Sequence, residues 1–443
     1  MGKIQLSDHF GYKKLLRYTL PSMIMMVVAS VYGVVDGLFV SNFVGKEEFS
    51  SVNFIMPVIL LLAALGTMFG TGGAALIAKT LGEGNRRKAR RTFSLLVWSV
   101  VIVGAVIALF GFIFVKEIAL LLGATKEMAL QCELYGRIIF AVFPLYILQM
   151  FFQPIMSAAE KPQLGLILSI ISGVLNIVLD YVLIVVFEMG LVGAALATAI
   201  AQSTGGLIPL FYFSSPNTSL LRLCKTKFDA NALLKTSSNG ISELISSVSM
   251  SVVSMLYNYQ LMKYIGPDGV AAYGVIMYAG FIFVAIYVGF CMGSAPIIAY
   301  NYGAENKKEM KIVFHKSLII TFVFGLIMIL GSQILATPLA KLFVGYDQGL
   351  FELTQSAFRI YSISFLFCGF TIYASAFFTA LNNGFISALI SFARTMICET
   401  SCVILIPLIF GISGIWFAII FAEVMAVIFS TILLKKFRKK YGY

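Results

Sequence analysis

Two acidic side chains lie in stretches of the sequence that are otherwise almost entirely apolar. Asp36 follows the run "ASVYGVV", and Asp180 stands within "NIVLDYVLI", four residues after Asn176. A charge near the middle of a bilayer costs about 2.5–3.5 kcal/mol on insertion scales, and two acids at similar depth also repel each other. Such acids are tolerated when one is protonated or when a cation lies between them. The chemistry that this pattern predicts is reversible binding of a cation.

An amide and a hydroxyl complete the set. A helix rises about 1.5 Å per residue. Counting from the nearest connections then puts Asp36 roughly 15 Å, and Asp180 and Thr198 roughly 12 Å, from one membrane surface. Asn176 shares a helix face with Asp180 because residues i and i+4 stack. Carboxylate, amide and hydroxyl oxygens suit Na⁺, and the same groups could exchange a proton. The alternative is that Asn176 and Asp180 only join helices by hydrogen bonds.

The rest of the chain supplies helices that could hold these groups in lipid. Of the 443 residues, 60% are hydrophobic and 12% are charged, too little polar surface for a soluble domain of this length. Lipid admits helices or closed barrels, and the apolar runs are too long for barrel strands. We expect an all-α integral membrane protein whose first helix is not a signal peptide. Spans are predicted at 15–42, 51–78, 92–115, 130–156, 163–186, 190–213, 239–265, 269–299, 316–337, 353–380, 385–409 and 413–434.

One unit occurs twice in the chain. The shift that carries Gly72 onto Gly293, which we call the repeat offset, aligns "GGAALIAKTLGEGNRRKARRTF" (72–93) with "GSAPIIAYNYGAENKKEMKIVF" (293–314). The same offset places Gly190 on Gly411. Two bundles of six spans that cross in the same sense can rock about a cleft, as transporters do. We therefore predict two pseudo-symmetric lobes arranged as a V. Their expected bounds are an amino-terminal lobe at 1–213, a cytoplasmic linker at 214–238 and a carboxyl-terminal lobe at 239–443.

The repeat also bears on the role of the two acids. A structural need shared by both halves should place similar side chains in both. The repeat offset instead pairs the polar groups with residues that carry no acid: Asp36 with Tyr257, Asn176 with Ile397 and Asp180 with Ser401. This asymmetry favours a functional role for the acids over helix association.

The net charge of +12 has an uneven distribution along the chain. Basic residues crowd the start, the end and alternate connections, notably 86–91, 222–235 and 307–316. The opposite connections carry few: Lys46, Lys116, Lys126, Lys263 and Lys341. This is the positive-inside pattern. It predicts a multi-pass protein of the cell membrane with both termini in the cytoplasm. Binding of RNA or of anionic lipid is the alternative use of the charge.

The sequence resembles the multidrug and toxic compound extrusion (MATE) family over essentially its whole length. The resemblance rests on "LPSMIMMVVASVYGVVDGLFVSNFVG", on "NIVLDYVLI" followed by "GLVGAALATAI", and on the paired loops "LGEGNRRKARRTF" and "YGAENKKEMKIVF". It implies export of bulky, often cationic amphipathic compounds in exchange for Na⁺ or H⁺. It also implies a bend of the first helix at Pro21. The cation site that it implies consists of Asp36, Asn176, Asp180 and Thr198.

The sequence also leaves one alternative function open and indicates several further candidate residues. A flippase for lipid-linked saccharides, from the same superfamily, is the alternative function. No nucleophile–base arrangement, zinc motif or ATPase signature is visible, so we expect no enzyme, no cofactor and a monomer that binds no nucleic acid. Arg394 is expected to pair with Glu423, and Glu243 to lie at the membrane interface. Weak candidates for drug contact are Tyr135, Gln149, Gln153, Tyr257 and Asn258.

Overall fold

The computed structural model describes residues 4–443, apart from the side chain of Lys46. The side chain of Lys46, one of the basic residues named above, therefore lies outside the described part of the structure. Every regular element in this part of the chain is a helix, as lipid requires. The amino-terminal lobe contains α1 (Tyr12–Phe39), α2 (Lys46–Gly82), α3 (Arg86–Leu121), α4 (Lys126–Ala141), α5 (Phe143–Ala158), α6 (Pro162–Asp180) and α7 (Gly190–Ser214). The carboxyl-terminal lobe contains α8 (Ala230–Tyr264), α9 (Pro267–Gly303), α10 (Lys307–Val344), α11 (Gln348–Tyr361), α12 (Phe365–Ala380), α13 (Gly384–Phe392) and α14 (Thr400–Tyr441).

The fourth predicted span, 130–156, is broken in the structure. Its two halves, α4 and α5, meet at Val142 with a bend of 62°. Pro144 lies at the start of α5, where it has no N–H to continue the hydrogen bonds of α4. The break therefore has an identifiable cause, and α4 and α5 together occupy the stretch predicted as the fourth span.

The eleventh and twelfth spans are joined by a sharp reversal at Gly411. This residue has φ 62° and ψ −142° within the helical run Gly384–Tyr441, a conformation that glycine adopts without a Cβ clash. The rings of Phe410 and Phe421 stack at 6.3 Å between centroids, whereas a straight helix would separate them by roughly 16 Å. The chain therefore turns back here, and the prediction of two spans is confirmed.

The connection between the lobes is shorter than the predicted linker of 214–238. Helix α7 ends at Ser214, and α8 begins at Ala230, where Asp229 accepts a hydrogen bond from the Ala232 N–H at 3.1 Å. Helix α8 therefore begins nine residues before the apolar span predicted at 239–265. The polar segment before it is helical because it packs on α2, so closely that a Cβ on Gly72 would overlap the Thr236 carbonyl oxygen.

The two lobes are related as the repeat predicts. Asn85 caps α3 and Asn306 caps α10 with equivalent hydrogen bonds of 3.0 and 3.1 Å to the backbone three residues on. A Cβ on Gly82 would overlap the Tyr300 carbonyl oxygen, and a Cβ on Gly303 would overlap that of Lys79. These contacts exchange under the repeat offset. They place the pseudo-twofold axis between α2 and α9.

The lobes pack together at the end of the bundle that carries both termini, which we call the closed side. Here Gly289 lies against the backbone of Ser22 and Met23, and Gly293 lies against Thr19. Helix α1 continues through Pro21 beside these contacts. Such close backbone approach between spans needs residues without a side chain. The lobes thus form a V that is joined at the closed side.

A strap, residues 4–11, crosses the closed side from one lobe to the other. The Leu6 N–H donates to Glu160 Oε1 at 2.9 Å in the amino-terminal lobe. The Phe10 N–H donates to Glu309 Oε1 at 2.8 Å, and Lys316 Nζ donates to the Phe10 carbonyl at 2.8 Å, both in the carboxyl-terminal lobe. The strap therefore ties the two lobes together in this conformation.

Candidate functional site

The four predicted cation ligands come from three helices that meet inside the amino-terminal lobe. Asp36 lies on α1, Asn176 and Asp180 on α6, and Thr198 on α7. The Thr198 hydroxyl donates to Asp36 Oδ1 at 3.3 Å. Asn176 and Asp180 also lie close to Asp36. Residues far apart in the sequence thus form one polar cluster.

Irregular backbone follows each of the two acids. A π-helical turn, Val40–Val44, begins four residues after Asp36, and another, Tyr181–Val186, begins directly after Asp180. Turns of this kind interrupt the regular hydrogen bonds of a helix and often occur at functional sites. Their position here loosens the ends of α1 and α6 on the side opposite the closed side. These ends could therefore adjust to the occupancy of the cluster.

Three oxygens of this cluster are buried without hydrogen-bond partners, whereas Asp36 is half-buried and accepts the Thr198 hydrogen bond. Asp180 is fully buried and Asn176 is 2% exposed. The two carboxylate oxygens of Asp180 and the side-chain carbonyl oxygen of Asn176 have no hydrogen-bond partner within residues 4–443. Neither Asp36 nor Asp180 forms an ion pair within that part of the chain. A buried charge is costly unless it is compensated, so the cluster can accept a proton or a small cation.

A cavity of about 520 Å³ opens onto the cluster. Its wall includes Asp36, Asn176 and Thr198, and Tyr278 and Phe281 of α9 approach it from the other lobe. Three further side chains each bury an unpartnered oxygen in or beside this wall: Gln149, Ser172 and Gln202. A molecule in this cavity would contact the acid site and both lobes.

Ser172 and Gln202 were not predicted from the sequence, although a signal for both was present. Ser172 precedes Asn176 by four residues, and Gln202 follows Thr198 by four. Residues with this spacing share a helix face. Extending the polar face of α6 and of α7 by one turn would have found them.

Three of the five weak drug-contact candidates lie near the acid cluster. Tyr135 is buried beside Thr198 and Asp36, with its hydroxyl 3.9 Å from Met56 Sδ. Gln149 lines the larger cavity, which Asp36 also lines. Gln149 and Gln153 also line a smaller neighbouring pocket.

The other two candidates, Tyr257 and Asn258, line neither of these cavities. Tyr257 is 1% exposed inside the carboxyl-terminal lobe, where its ring stacks on Tyr273 at 4.9 Å between centroids. Asn258 is exposed on the surface of α8. Tyr257 occupies the position equivalent to Asp36, so packed aromatic rings replace the acid site in this lobe.

A second cavity, of about 240 Å³, lies between the lobes. Thr71 and Pro154 contribute from one lobe, and Glu243 and Arg394 from the other. Glu243 lies more than three turns into α8, which begins at Ala230, and its expected place at the membrane interface stays a prediction. Both cavities therefore present a carboxylate to a bound molecule.

The predicted pairing of Arg394 with Glu423 is confirmed. Arg394 Nε and one terminal nitrogen donate to Glu423 Oε1 at 2.8 and 2.6 Å. Thr371 donates to the other carboxylate oxygen at 3.2 Å. Glu423 is 1% exposed, so the guanidinium supplies the compensation that a buried carboxylate requires.

Comparison with known proteins identifies the class of protein that this fold and site define. The MatE family model matches the chain twice, over residues 21–182 and 244–404, once in each lobe. The chain therefore belongs to the MatE family of membrane transporters.

Individual relatives share the full length of the chain. It is similar to the multidrug export protein MepA of Staphylococcus aureus, with 25% identity over 93% of this chain and 91% of the relative. MepA of Staphylococcus saprophyticus is 24% identical, over 97% and 94%. The fold matches an outward-facing multidrug resistance MATE family transporter of the MOP superfamily, with TM-score 0.92, 21% identity and 99% coverage of both chains.

Proposed function

We propose that this protein exports amphipathic, often cationic drugs or toxic compounds by alternating access, in exchange for Na⁺ or H⁺. The observation that carries the coupling is the pair of fully buried Asp180 and half-buried Asp36, which forms no ion pair with a basic side chain among the described residues. The site is costly when empty and ionised, and it is neutralised when a cation binds. Binding can therefore favour one conformation of the lobe over the other, as coupling requires.

The named oxygens have separate roles in this proposal. Asp36 and Asp180 supply the charge, the Asn176 carbonyl is an additional ligand, and Thr198 orients Asp36 through its hydrogen bond. The coupling ion is transported and is not a resident cofactor. A drug in the larger cavity would compete with it, because Asp36 also lines that cavity. Competition of this kind exchanges one cation for the other.

The charge distribution supports the orientation and the location that we propose. Basic residues crowd the connections on the closed side and both termini, which by the positive-inside rule would face the cytoplasm of the cell. The cleft would then open outward in this conformation. Each chain holds both lobes and both cavities, so a monomer suffices for transport.

Two properties of the cavities support drugs over lipid-linked saccharides as substrates. The carboxylates of Asp36 and Glu243 line the walls, which suits a cation. The arginines that could attract an anionic carrier lipid are engaged or outside: Arg394 pairs with Glu423, and Arg137 is exposed and pairs with Glu133 at 2.7 Å. Aromatic and methionine side chains in the same walls suit varied flat cations.

Efflux from proteoliposomes tests this function. Purified protein is reconstituted with ethidium inside, and an outside-to-inside Na⁺ step or pH step is imposed separately. We expect efflux with at least one of these gradients and none in protein-free vesicles. Efflux that ignores both gradients would contradict the coupling. Absence of ethidium movement together with movement of a polyprenyl-linked saccharide would favour the flippase.

A further inference from the structure

A group of basic side chains on the closed side is not used by the proposed transport cycle. We propose that this group binds the headgroups of anionic phospholipids at the membrane surface. We call it the basic patch, and it comprises Arg86, Arg87, Arg90 and Arg91 of α3 and Lys225 of the inter-lobe connection, which together line one open groove.

The inter-lobe connection is fixed to α3 by hydrogen bonds that bring these charges together. Ser94 Oγ accepts a hydrogen bond from the Cys224 N–H at 2.9 Å. The Thr226 hydroxyl donates to the Arg91 carbonyl at 3.1 Å, and Arg90 Nε donates to the Leu220 carbonyl at 3.1 Å. Lys225 is thereby held beside the arginines, although like charges repel. The backbone, and not attraction between side chains, determines the geometry of the patch.

The protein offsets only part of this charge: five basic residues line the groove, and Asp229 shares an adjoining groove with Arg87, Arg91 and Lys225. Within residues 4–443 the ion pairs include no member of the basic patch. The first turn of α3 contains no acidic residue, and positive charge at a helix N-terminus opposes the helix dipole. The nearest acid along the connection, Asp229, caps α8. An anion in the groove would relieve both the mutual repulsion and the unfavourable interaction with the dipole.

The equivalent helix start in the carboxyl-terminal lobe carries an acidic side chain that offsets its basic residues. The repeat offset places Arg87 and Arg90 on Lys308 and Lys311 of α10, and Lys88 on Glu309. Glu309 lies in the first turn of α10 and holds the strap. One lobe thus carries its own acid at this helix start, and the other lacks one.

The position of the patch favours a lipid over a soluble anion. Trp98, seven residues along α3 from Arg91, is 54% exposed, and Phe228, within the inter-lobe connection, is 79% exposed. Exposed tryptophan is typical of the membrane–water boundary, and an adjacent exposed phenylalanine could enter it. The arginines then lie at the level of lipid phosphates, to which guanidinium groups donate paired hydrogen bonds.

Retention of phosphatidylglycerol by the purified full-length transporter tests this proposal. Protein in neutral detergent is titrated with phosphatidylglycerol or phosphatidylcholine, and the bound lipid is measured by native mass spectrometry. The patch variant is Arg87→Gln with Arg91→Gln and Lys225→Gln, which spares the structural bond of Arg90. The matched control is Lys308→Gln with Lys311→Gln and Lys439→Gln, three exposed charges on the same side.

We expect wild type and control to prefer phosphatidylglycerol, and the patch variant to lose affinity by roughly fivefold per removed charge. A second variant, Arg87→Lys with Arg91→Lys, should retain most of the binding because it keeps the charge. Equal losses in patch variant and control, or loss in neither, would overturn the proposal. So would full displacement of the lipid by millimolar inorganic phosphate, or preferential retention of a short RNA. Unchanged elution on size exclusion shows that each variant is folded.

Discussion

Gly82 and Gly303 occupy equivalent positions in the two lobes, and each packs against a backbone carbonyl of the other's helix. The partner of Gly82 is Tyr300, and the partner of Gly303 is Lys79. These four residues form a reciprocal contact on the closed side, where the cleft has to open if substrate is to enter from that direction. The contact is therefore the place at which the conformational equilibrium is most easily shifted.

Adding a methyl group at this contact should open the closed side. Gly303→Ala would place its Cβ on the Lys79 carbonyl, and overpacking of this kind costs about 1–3 kcal/mol, roughly 5- to 150-fold in an equilibrium. Spin labels at positions 88 and 308 should report a longer distance. Gly331→Ala is the matched control, because nothing lies within 4 Å of its added Cβ. Unchanged distances in Gly303→Ala would show that this contact does not hold the closed side.

Removing one partner of the buried pair in the carboxyl-terminal lobe should destabilise the protein strongly. Arg394→Met leaves Glu423 buried without its cation, and breaking such a pair costs about 3–5 kcal/mol. The double variant Arg394→Met with Glu423→Leu should recover part of the loss in unfolding midpoint in detergent. Arg137→Met removes an exposed guanidinium from Glu133, which keeps Lys116 as a partner at 3.5 Å, and should cost under about 1 kcal/mol. A double variant no more stable than Arg394→Met would refute this account of the pair.

Releasing the strap should be measurable at a single amide. The Phe10 N–H donates to Glu309, and hydrogen bonds to a charged group contribute about 1.5–3 kcal/mol. Hydrogen exchange at Phe10 should therefore accelerate by on the order of 10- to 100-fold in Glu309→Ala. Glu305→Asn alters an exposed acid in the same loop, and asparagine tolerates the positive φ of 55° found there. If both variants leave Phe10 protected, Glu309 does not anchor the strap.

The fold was predictable because lipid leaves few choices for the backbone. The apolar runs, the internal repeat and the pairing of Arg394 with Glu423 all followed from the sequence. The helix start at Ala230 did not, because packing on Gly72 overrides the polar character of that segment. The break at Val142 was missed for a different reason: a proline inside an apolar run can be tolerated or can bend the span.

The candidate site was predictable in its centre and not at its edges. Acids in apolar runs are conspicuous, so Asp36 and Asp180 were found without a structure. Ser172 and Gln202 were missed because the polar faces of α6 and α7 were not followed one turn beyond Asn176 and Thr198. Tyr257 is a case in which a residue was assigned to the site and lies elsewhere. It was expected near the cleft, and the structure places it in the core of the carboxyl-terminal lobe.

The most direct test of the central claim separates drug movement from ion coupling in one variant. Asp180→Asn removes a buried charge but keeps the shape of the side chain, so the cavity that Asp36 lines is preserved. We predict that this variant still exchanges labelled for unlabelled ethidium across proteoliposomes when no ion gradient is present. Efflux driven by the Na⁺ or pH step that drives the wild type should fall by at least tenfold. Gradient-driven efflux at the wild-type rate in Asp180→Asn, and equally in Asp36→Asn, would contradict the claim that these two acids couple transport to an ion.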